Sequence, residues 1–228
     1  MSKVIVAVIP AYHEERAIAQ SVADAARFVD HVVVVDDCSR DATGDLAHEG
    51  GAHVLRHAVN RGQGAALQTG TRYALEELGA DIVVHFDADG QMRGEEIPEI
   101  IAPIMTGNAD IALGSRFLGR DAENIPFVRK WLTVKPAIIL TAVVSGLKLT
   151  DTHNGFRALS RSAARKLTIN LDRMAHASEI IDQIKVHKFR YQEVPVTIRY
   201  SEESLAKGQS FFSGFIVLID IAKHRFFH

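Results

Sequence analysis

The first half of the chain alternates between two kinds of segment. Val4–Ile9 (VIVAVI), His31–Val35 (HVVVV), Ala52–Arg56, Asp81–Phe86 (DIVVHF) and Ala109–Leu113 are short apolar runs, most of them rich in β-branched residues. Between them, Glu14–Phe28, Asp41–Glu49, Gly64–Leu78 and Gly94–Met105 have helical character, and in the first Ile18, Val22, Ala25 and Phe28 share one face. Continuously apolar strands are buried on both sides. Strand–helix–strand alternation makes such strands mostly parallel, with helices covering both faces of the sheet and right-handed crossovers. The predicted class is therefore α/β, a Rossmann-like, mostly parallel sheet flanked by helices.

The second half is less regular. Pro126–Leu147 reads as mainly helical with an interruption at Pro136, and Thr150–Leu159 as a loop leading into a short strand. Arg161–Leu167 and Ala177–His187 are predicted helices. Tyr191–Tyr200 alternates and reads as a strand near a sheet edge, because Pro195 has no N–H for a ladder. The tail reads as one more helix. No repeat, low-complexity tract or linker interrupts the 228 residues, which suit a single domain. Residues 1–115 form its regular half and 116–228 the irregular one.

Composition narrows the classes. Apolar residues are 47% and charged residues 24%, enough for a sizeable core. The net charge of −2 and the absence of a long basic run argue against a nucleic-acid partner. The single cysteine, Cys38, cannot form an internal disulfide and fits a reducing compartment, so a cytoplasmic location is expected. The start, MSKVIVAVIPAYHEE, reads as a buried first strand rather than a leader. Two apolar stretches, Ala137–Leu149 and Phe211–Ala222, are shorter than the roughly 20 residues that span a bilayer and read as buried helices.

Ligands of parallel α/β sheets bind beyond the carboxyl ends of the strands. Each unusual polar cluster of the first half follows a predicted strand. In Asp87-Ala88-Asp89-Gly90-Gln91 two carboxylates lie two residues apart. Their oxygens suit a hard divalent ion such as Mg²⁺ or Mn²⁺, which keeps positions open for substrate phosphates; a polar turn capping the next helix accounts for them equally well. The segment Val35-Asp36-Asp37-Cys38-Ser39-Arg40-Asp41 offers acceptors for a base or ribose, or simply a helix cap through Ser39 or Asp41. Asn60-Arg61-Gly62-Gln63-Gly64-Ala65-Ala66 allows close backbone approach to an anion at a helix start, or a tight loop with close helix packing. It is not a dinucleotide fingerprint, which would follow the first strand.

Together with Pro10-Ala11-Tyr12-His13-Glu14, Gly114-Ser115-Arg116-Phe117, Arg129-Lys130, Asp151-Thr152-His153-Asn154-Gly155-Phe156-Arg157 and Glu193-Val194-Pro195-Val196, these clusters run in one order over nearly the whole chain. The chain resembles glycosyltransferase family 2, on the branch of dolichol-phosphate mannose synthases and bacterial polyprenyl-phosphate glycosyltransferases. The resemblance implies a GT-A fold and inverting, metal-dependent transfer from a GDP-, UDP- or dTDP-sugar to polyprenyl phosphate or to a lipid-linked or surface glycan. It implies that Pro10, Tyr12 and Glu14 line the nucleotide pocket and that Asp36 or Asp37 contacts base and ribose. Gly64 and Ala88 would lie against the donor. Asp87, Asp89 and Gln91 would hold Mg²⁺ or Mn²⁺ and the diphosphate, and Arg116 would sit by the sugar or phosphates. Asp151 is the implied general base, or an orienting group if the acceptor is already ionised. Arg157 would lie on the acceptor side.

Two positions depart from the family pattern. Its first motif usually has asparagine where this chain has His13. Its late loop often reads glycine, any residue, serine, lysine, whereas here Lys207-Gly208-Gln209-Ser210 puts the lysine first. That loop, with Lys207 and Ser210, is expected to close over the diphosphate. Arg129, Lys130 and Lys135 precede an apolar stretch, a juxtaposition suited to an acceptor lipid phosphate, a membrane surface or an ordinary solvated helix face. The tail, ending Lys223-His224-Arg225-Phe226-Phe227-His228, would lie on a bilayer, dock on a small membrane-anchoring partner, or pack on its own domain. Peripheral attachment at the inner membrane face is accordingly expected. Other classes remain as alternatives: a sugar-phosphate nucleotidyltransferase, disfavoured because PAYHEE replaces a glycine-rich basic loop, and a non-catalytic nucleotide-sugar module, disfavoured by the complete Asp87, Asp89, Gln91 set.

Overall fold

A computed structural model of the chain describes residues 2–118, 147, 149–152, 154–169 and 176–197. All lie in one compact unit, Met1–Ile198. The extension of that unit into a single 228-residue domain, the helix of 126–147 and the tail helix fall outside the described residues.

Among the described residues seven strands form one sheet. In chain order the elements are β1 (Ile5–Ala11), α1 (Ile18–Ala26), β2 (His31–Asp36), α2 (Thr43–Glu49), β3 (His53–Arg56), α3 (Gln63–Glu76), β4 (Ile82–His85), a 3-10 turn (Gly94–Glu96), α4 (Ile97–Met105), β5 (Ile111–Ser115), β6 (Arg157–Ser160), α5 (Arg161–Lys166), α6 (His176–Val186) and β7 (Tyr191–Pro195). The spatial order is β3-β2-β1-β4-β6-β5-β7. Every pairing is parallel except those of β6, which runs antiparallel to both β4 and β5.

The period of two along each strand builds two core layers. Ala7, Ile9, Val34 and Val84 face one side, where Ile18 and Val22 of α1 and Ile97 and Ile100 of α4 meet them. Val6, Val8, Val33 and Val83 face the other, against Ala66 and Leu67 of α3 and Ile180 and Ile184 of α6. Fully burying such an aliphatic side chain stabilises by roughly 1.5–3 kcal/mol. The approach of α3 to the sheet is set by Gly70, where a Cβ would lie 2.4 Å from Val8 Cγ1.

Within the described residues the predicted strands and helices are present, with differences at two ends. Helical spacing predicts a helix from Glu14, yet α1 begins at Ile18. The intervening residues are tethered instead. The His13 N–H donates to Ser39 Oγ at 3.0 Å and the Glu14 N–H to Thr43 Oγ1 at 2.9 Å. Residues 13–17 thus serve the strand-end loops. β7 lies at the sheet edge, as the proline predicts, but it ends at Pro195 rather than running on to Tyr200.

Candidate active site

Parallel pairing brings the first two motifs to one place. The register Val8↔His85 carries residues 10–14 and 87–91 out of the same end of the sheet, and Ala11↔Asp36 adds the loop after β2. Pro10 is partly buried at the end of β1, and Tyr12 stands 48% exposed, edge-on to the His13 ring at 4.2 Å. His13 and Cys38 both take left-handed backbone conformations, with φ of 56° and 69°. Asparagine and histidine tolerate this region better than most residues, which explains why histidine can replace the family's usual asparagine here. Cys38 is partly exposed and lies 3.6 Å from the Ala58 carbonyl, so it belongs to this turn rather than to the core.

Asp87 is the centre of the site. Gln63 Nε2, from the first residue of α3, donates to its Oδ1 at 3.1 Å. The backbone at Gly155 lies so close that an added Cβ would stand 2.5 Å from Asp87 Oδ2 and 2.9 Å from Oδ1. This glycine lets the 151–157 loop close against the carboxylate. The turn after Asp87 is pinned by Ser21 Oγ, which donates to the Ala88 carbonyl at 2.9 Å. It reverses at Gly90, where φ is 73°, and the Gln91 N–H donates to Asp89 Oδ1 at 3.0 Å.

Burial raises both carboxyls of this turn. Loss of solvent pushes the Asp87 carboxyl up from 3.8 to about 6, and the neighbouring Asp89 and Glu14 charges add to the rise, against Arg157 and Gln63. Asp89 stands at the rim, partly walled off from water, and is also raised. Two crowded carboxylates that resist ionising together are well suited to a divalent ion. Among the described residues no group of three or more His, Cys, Asp or Glu side chains forms a closed metal cage.

The second acidic motif is tied into the protein's own loops. Asp37 accepts from His57 Nδ1 at 2.7 Å, from the Arg61 N–H at 2.9 Å and from the Gly62 N–H at 2.6 Å. His57 is itself held by Thr69 Oγ1 at 3.0 Å. Asp37 therefore builds the loop that delivers Gln63 to Asp87 and begins α3, with Gly64 buried in its first turn. Asp36 is fully buried, accepting from the Ser39 N–H at 2.9 Å, with Arg56 Nε 3.3 Å from its other oxygen. Asp41 accepts from the Thr43 N–H at 3.1 Å in the turn just ahead of α2.

On the other side of Asp87, Arg116 and Asp151 form a two-pronged ion pair. Nε lies 2.7 Å from Oδ2 and Nη2 2.9 Å from Oδ1, and the Arg116 N–H adds a third bond at 3.1 Å. Asp151 is 5% exposed. Both of its oxygens are engaged by Arg116. Arg157 is more deeply placed than a phosphate contact would be. It is 3% exposed on β6, in register with His85, and the charges of Asp87 and Asp151 both act on its guanidinium. Burial lowers its pKa to about 10, so it remains cationic. His85 is fully enclosed, accepts from or donates to Thr71 Oγ1 at 3.0 Å, and is held neutral, its pKa pushed down to about 3 by burial and by Arg157 and His176. Arg129, Lys130, Lys135, His153, Lys207 and Ser210 lie outside the described residues.

Sequence reasoning singled out Asp87, Asp89, Arg116 and Asp151 but passed over Gln63, Gly155, His57 and Glu193 as working parts. Gln63, Gly155 and Glu193 lie inside quoted motifs, whereas nothing around His57 marks it.

The sequence matches the model of glycosyl transferase family 2 over residues 6–168. The chain belongs to this family. It is 33% identical over 234 residues to a UDP-N-acetylglucosamine–dolichyl-phosphate N-acetylglucosaminyltransferase of Methanococcus voltae, covering 93% of this chain and 92% of that one. It is 30% identical over 223 residues to an undecaprenyl-phosphate mannosyltransferase of Micrococcus luteus, covering 93% and 89%. Its fold matches the crystal structure of a Mycobacterium tuberculosis glucosyl-3-phosphoglycerate synthase in complex with Mn²⁺, UDP and phosphoglyceric acid, with a TM-score of 0.65 and 21% identity over 90% of this chain and 73% of that one. The fold is GT-A and the family 2 chain is a glycosyltransferase. Among its described residues no helix is long and apolar enough to cross a membrane.

Proposed function

We propose that this family 2 enzyme transfers a sugar from a nucleotide diphosphate to the phosphate of a polyprenyl lipid, with Mg²⁺ or Mn²⁺ bound by Asp87 and Asp89. The observation that carries the metal-dependent donor site is the crowded pair of carboxylates beyond β4, with Asp87 held by Gln63 and walled by Gly155. When bound, the cation supplies charge that offsets the negative charge building on the departing diphosphate. Gln63 orients Asp87, the Gln91 N–H orients Asp89, and Pro10, Tyr12 and Glu14 line the nucleotide side of the same strand ends.

The acceptor assignment draws on the Arg116–Asp151 pair. A hydroxyl acceptor must lose a proton as it attacks, and a base near hydrogen-bond reach then contributes about 10²–10⁴-fold. An ionised lipid phosphate needs no such base. Asp151, locked to Arg116, suits an orienting role, and Arg116 suits the anionic groups that meet at the transferring sugar. The acceptor oxygen attacks the anomeric carbon from the face opposite the diphosphate, the carbon–oxygen bond to the diphosphate breaks with its electron pair, and the configuration inverts. The named relatives, which act on dolichyl and undecaprenyl phosphates, support the same acceptor class. Catalysis at a membrane surface follows from such an acceptor.

Calorimetric titration with GDP, UDP and dTDP, each with and without Mn²⁺, tests the donor half. Metal-dependent binding of one nucleotide supports the proposal and fixes the donor class. Failure of all three to bind refutes it.

A further inference from the structure

We propose that Glu193, on the edge strand β7, is a positioning residue that sets the Arg116–Asp151 pair for glycosyl transfer; this rests on the role proposed for that pair. Glu193 lies opposite Leu113 of β5 in the parallel register. Its Oε1 accepts three hydrogen bonds from one stretch of loop: the Thr150 N–H at 2.8 Å, the Thr150 hydroxyl at 2.9 Å and the Asp151 N–H at 3.1 Å. An ionised carboxylate is an acceptor only, so the proton order of the network follows. The Thr150 hydroxyl donates to Glu193. Ser115 Oγ, 2.6 Å from Thr150 Oγ1, therefore donates to it, and Ser115 Oγ in turn accepts from the Phe117 N–H at 3.2 Å.

One carboxylate oxygen thus fixes two backbones at once. It holds Thr150 and Asp151 directly, and through Thr150 and Ser115 it holds the chain on either side of Arg116. The ion pair that joins Asp151 to Arg116 is assembled between these two fixed backbones. Glu193 supplies no group to the pair itself and reaches it only through main chain and two hydroxyls. It does not reach Asp87 or Gln63, which are placed from β4 and α3. Removing it should therefore disturb the transfer side of the site and spare the donor side. Bonds to a carboxylate are stronger than neutral ones, but glutamine retains an oxygen in the same place and should preserve most of the geometry.

The test compares Glu193→Ala with Glu193→Gln. A displacement of about 1 Å at a reacting centre costs on the order of 100-fold in rate. Glu193→Ala is expected to lower kcat about 10- to 100-fold while Mn²⁺-dependent nucleotide affinity stays within about twofold of wild type. Glu193→Gln is expected to recover most of the lost rate. Amide exchange at Thr150 and Asp151 should speed up in the alanine variant, stay slow in the glutamine variant, and remain unchanged at Val6–Ile9 in both. Unchanged kcat in Glu193→Ala, nucleotide affinity falling in step with kcat, or Glu193→Gln as impaired as alanine would each overturn the proposal. If Glu193→Ala does not fold, Thr150→Val, which cuts the hydroxyl bridge alone, must show the same split in smaller measure, and its absence overturns the proposal. If the wild-type enzyme transfers no sugar to polyprenyl phosphate, the functional proposal fails by itself, and the exchange rates still decide whether Glu193 holds the loop.

Discussion

Gly155→Ala isolates how closely the metal site is fitted. Gly155 is not in the left-handed region, so alanine strains no backbone torsion and the whole effect comes from contact. The new methyl would stand 2.5 Å from Asp87 Oδ2, 2.9 Å from Oδ1 and 3.0 Å from Cγ. Something must move by several tenths of an ångström. Asp87 cannot swing aside without loss, because Oδ1 is held by Gln63 at 3.1 Å. The loop cannot lift without loss either, because Phe156 beside it is fully buried against Phe86, with ring centroids 5.6 Å apart. Overpacking of this kind costs about 1–3 kcal/mol, and displacing a group at the reacting centre by about 1 Å costs on the order of 100-fold in rate. Two assays separate the two effects: thermal unfolding without metal, and Mn²⁺-dependent nucleotide binding with turnover. The expected result is a modest drop in Tm with metal-dependent binding weakened tenfold or more. Wild-type metal-dependent binding and turnover in a folded Gly155→Ala protein would refute the claim that this loop sets the position of Asp87.

Asp89→Ala should abolish Mn²⁺-dependent nucleotide binding and leave the fold intact; unchanged metal-dependent affinity removes Asp89 from the metal site. Asp151→Asn should slow transfer far more than it weakens donor binding, because asparagine turns an N–H toward the Arg116 fork; near-normal turnover shows that neither a base nor the ion pair is required there. The Asp87 carboxyl, raised to about 6, makes protons compete with the cation, so Mn²⁺ affinity should rise as pH increases from 5 to 7 and level off above that, read by titration at each pH. The same group binds its proton more tightly folded than unfolded. Its contribution to metal-free stability is therefore full below 3.8 and lost as pH rises through about 6, worth at most roughly 3 kcal/mol. Chemical denaturation of wild type and Asp87→Asn at pH 4 and pH 7 should show wild type losing stability relative to the variant; a constant difference would refute the raised carboxyl.

Much of this architecture could be read from the order of residues, because its signals are local. Apolar runs such as Val32–Val35 need only neighbours in sequence to declare a buried strand, and Asp87 and Asp89 declare a pair by a spacing of two. What sequence could not supply depends on contacts between distant segments. Glu14–Ala17 has the spacing of a helix but forms the turn that leads into α1, and the His13 and Glu14 N–H groups at its start are held by Ser39 and Thr43, 26 and 29 residues away. Asp36 and Asp37 look alike as a pair of acceptors at a strand end, yet bonds from His57, Arg61 and Gly62 commit Asp37 to the protein itself. The resemblance implies Arg157 on the acceptor side, but β6 enters antiparallel between β4 and β5 and buries it where the charges of Asp87 and Asp151 act on it. That strand cannot be paired from local pattern, since its partners lie about 45 and 75 residues upstream. The insertion of β6 also ties two parts of the site to one segment. It carries the 151–157 loop across the strand ends, so the glycine that walls Asp87 and the aspartate that holds Arg116 sit four residues apart on one segment. A shift of this segment would be felt on the donor and acceptor sides together, whereas Glu193 acts on the Asp151 end alone. Comparing Gly155→Ala with Glu193→Ala therefore asks whether the two halves of the reaction are set by one rigid loop or by separate anchors.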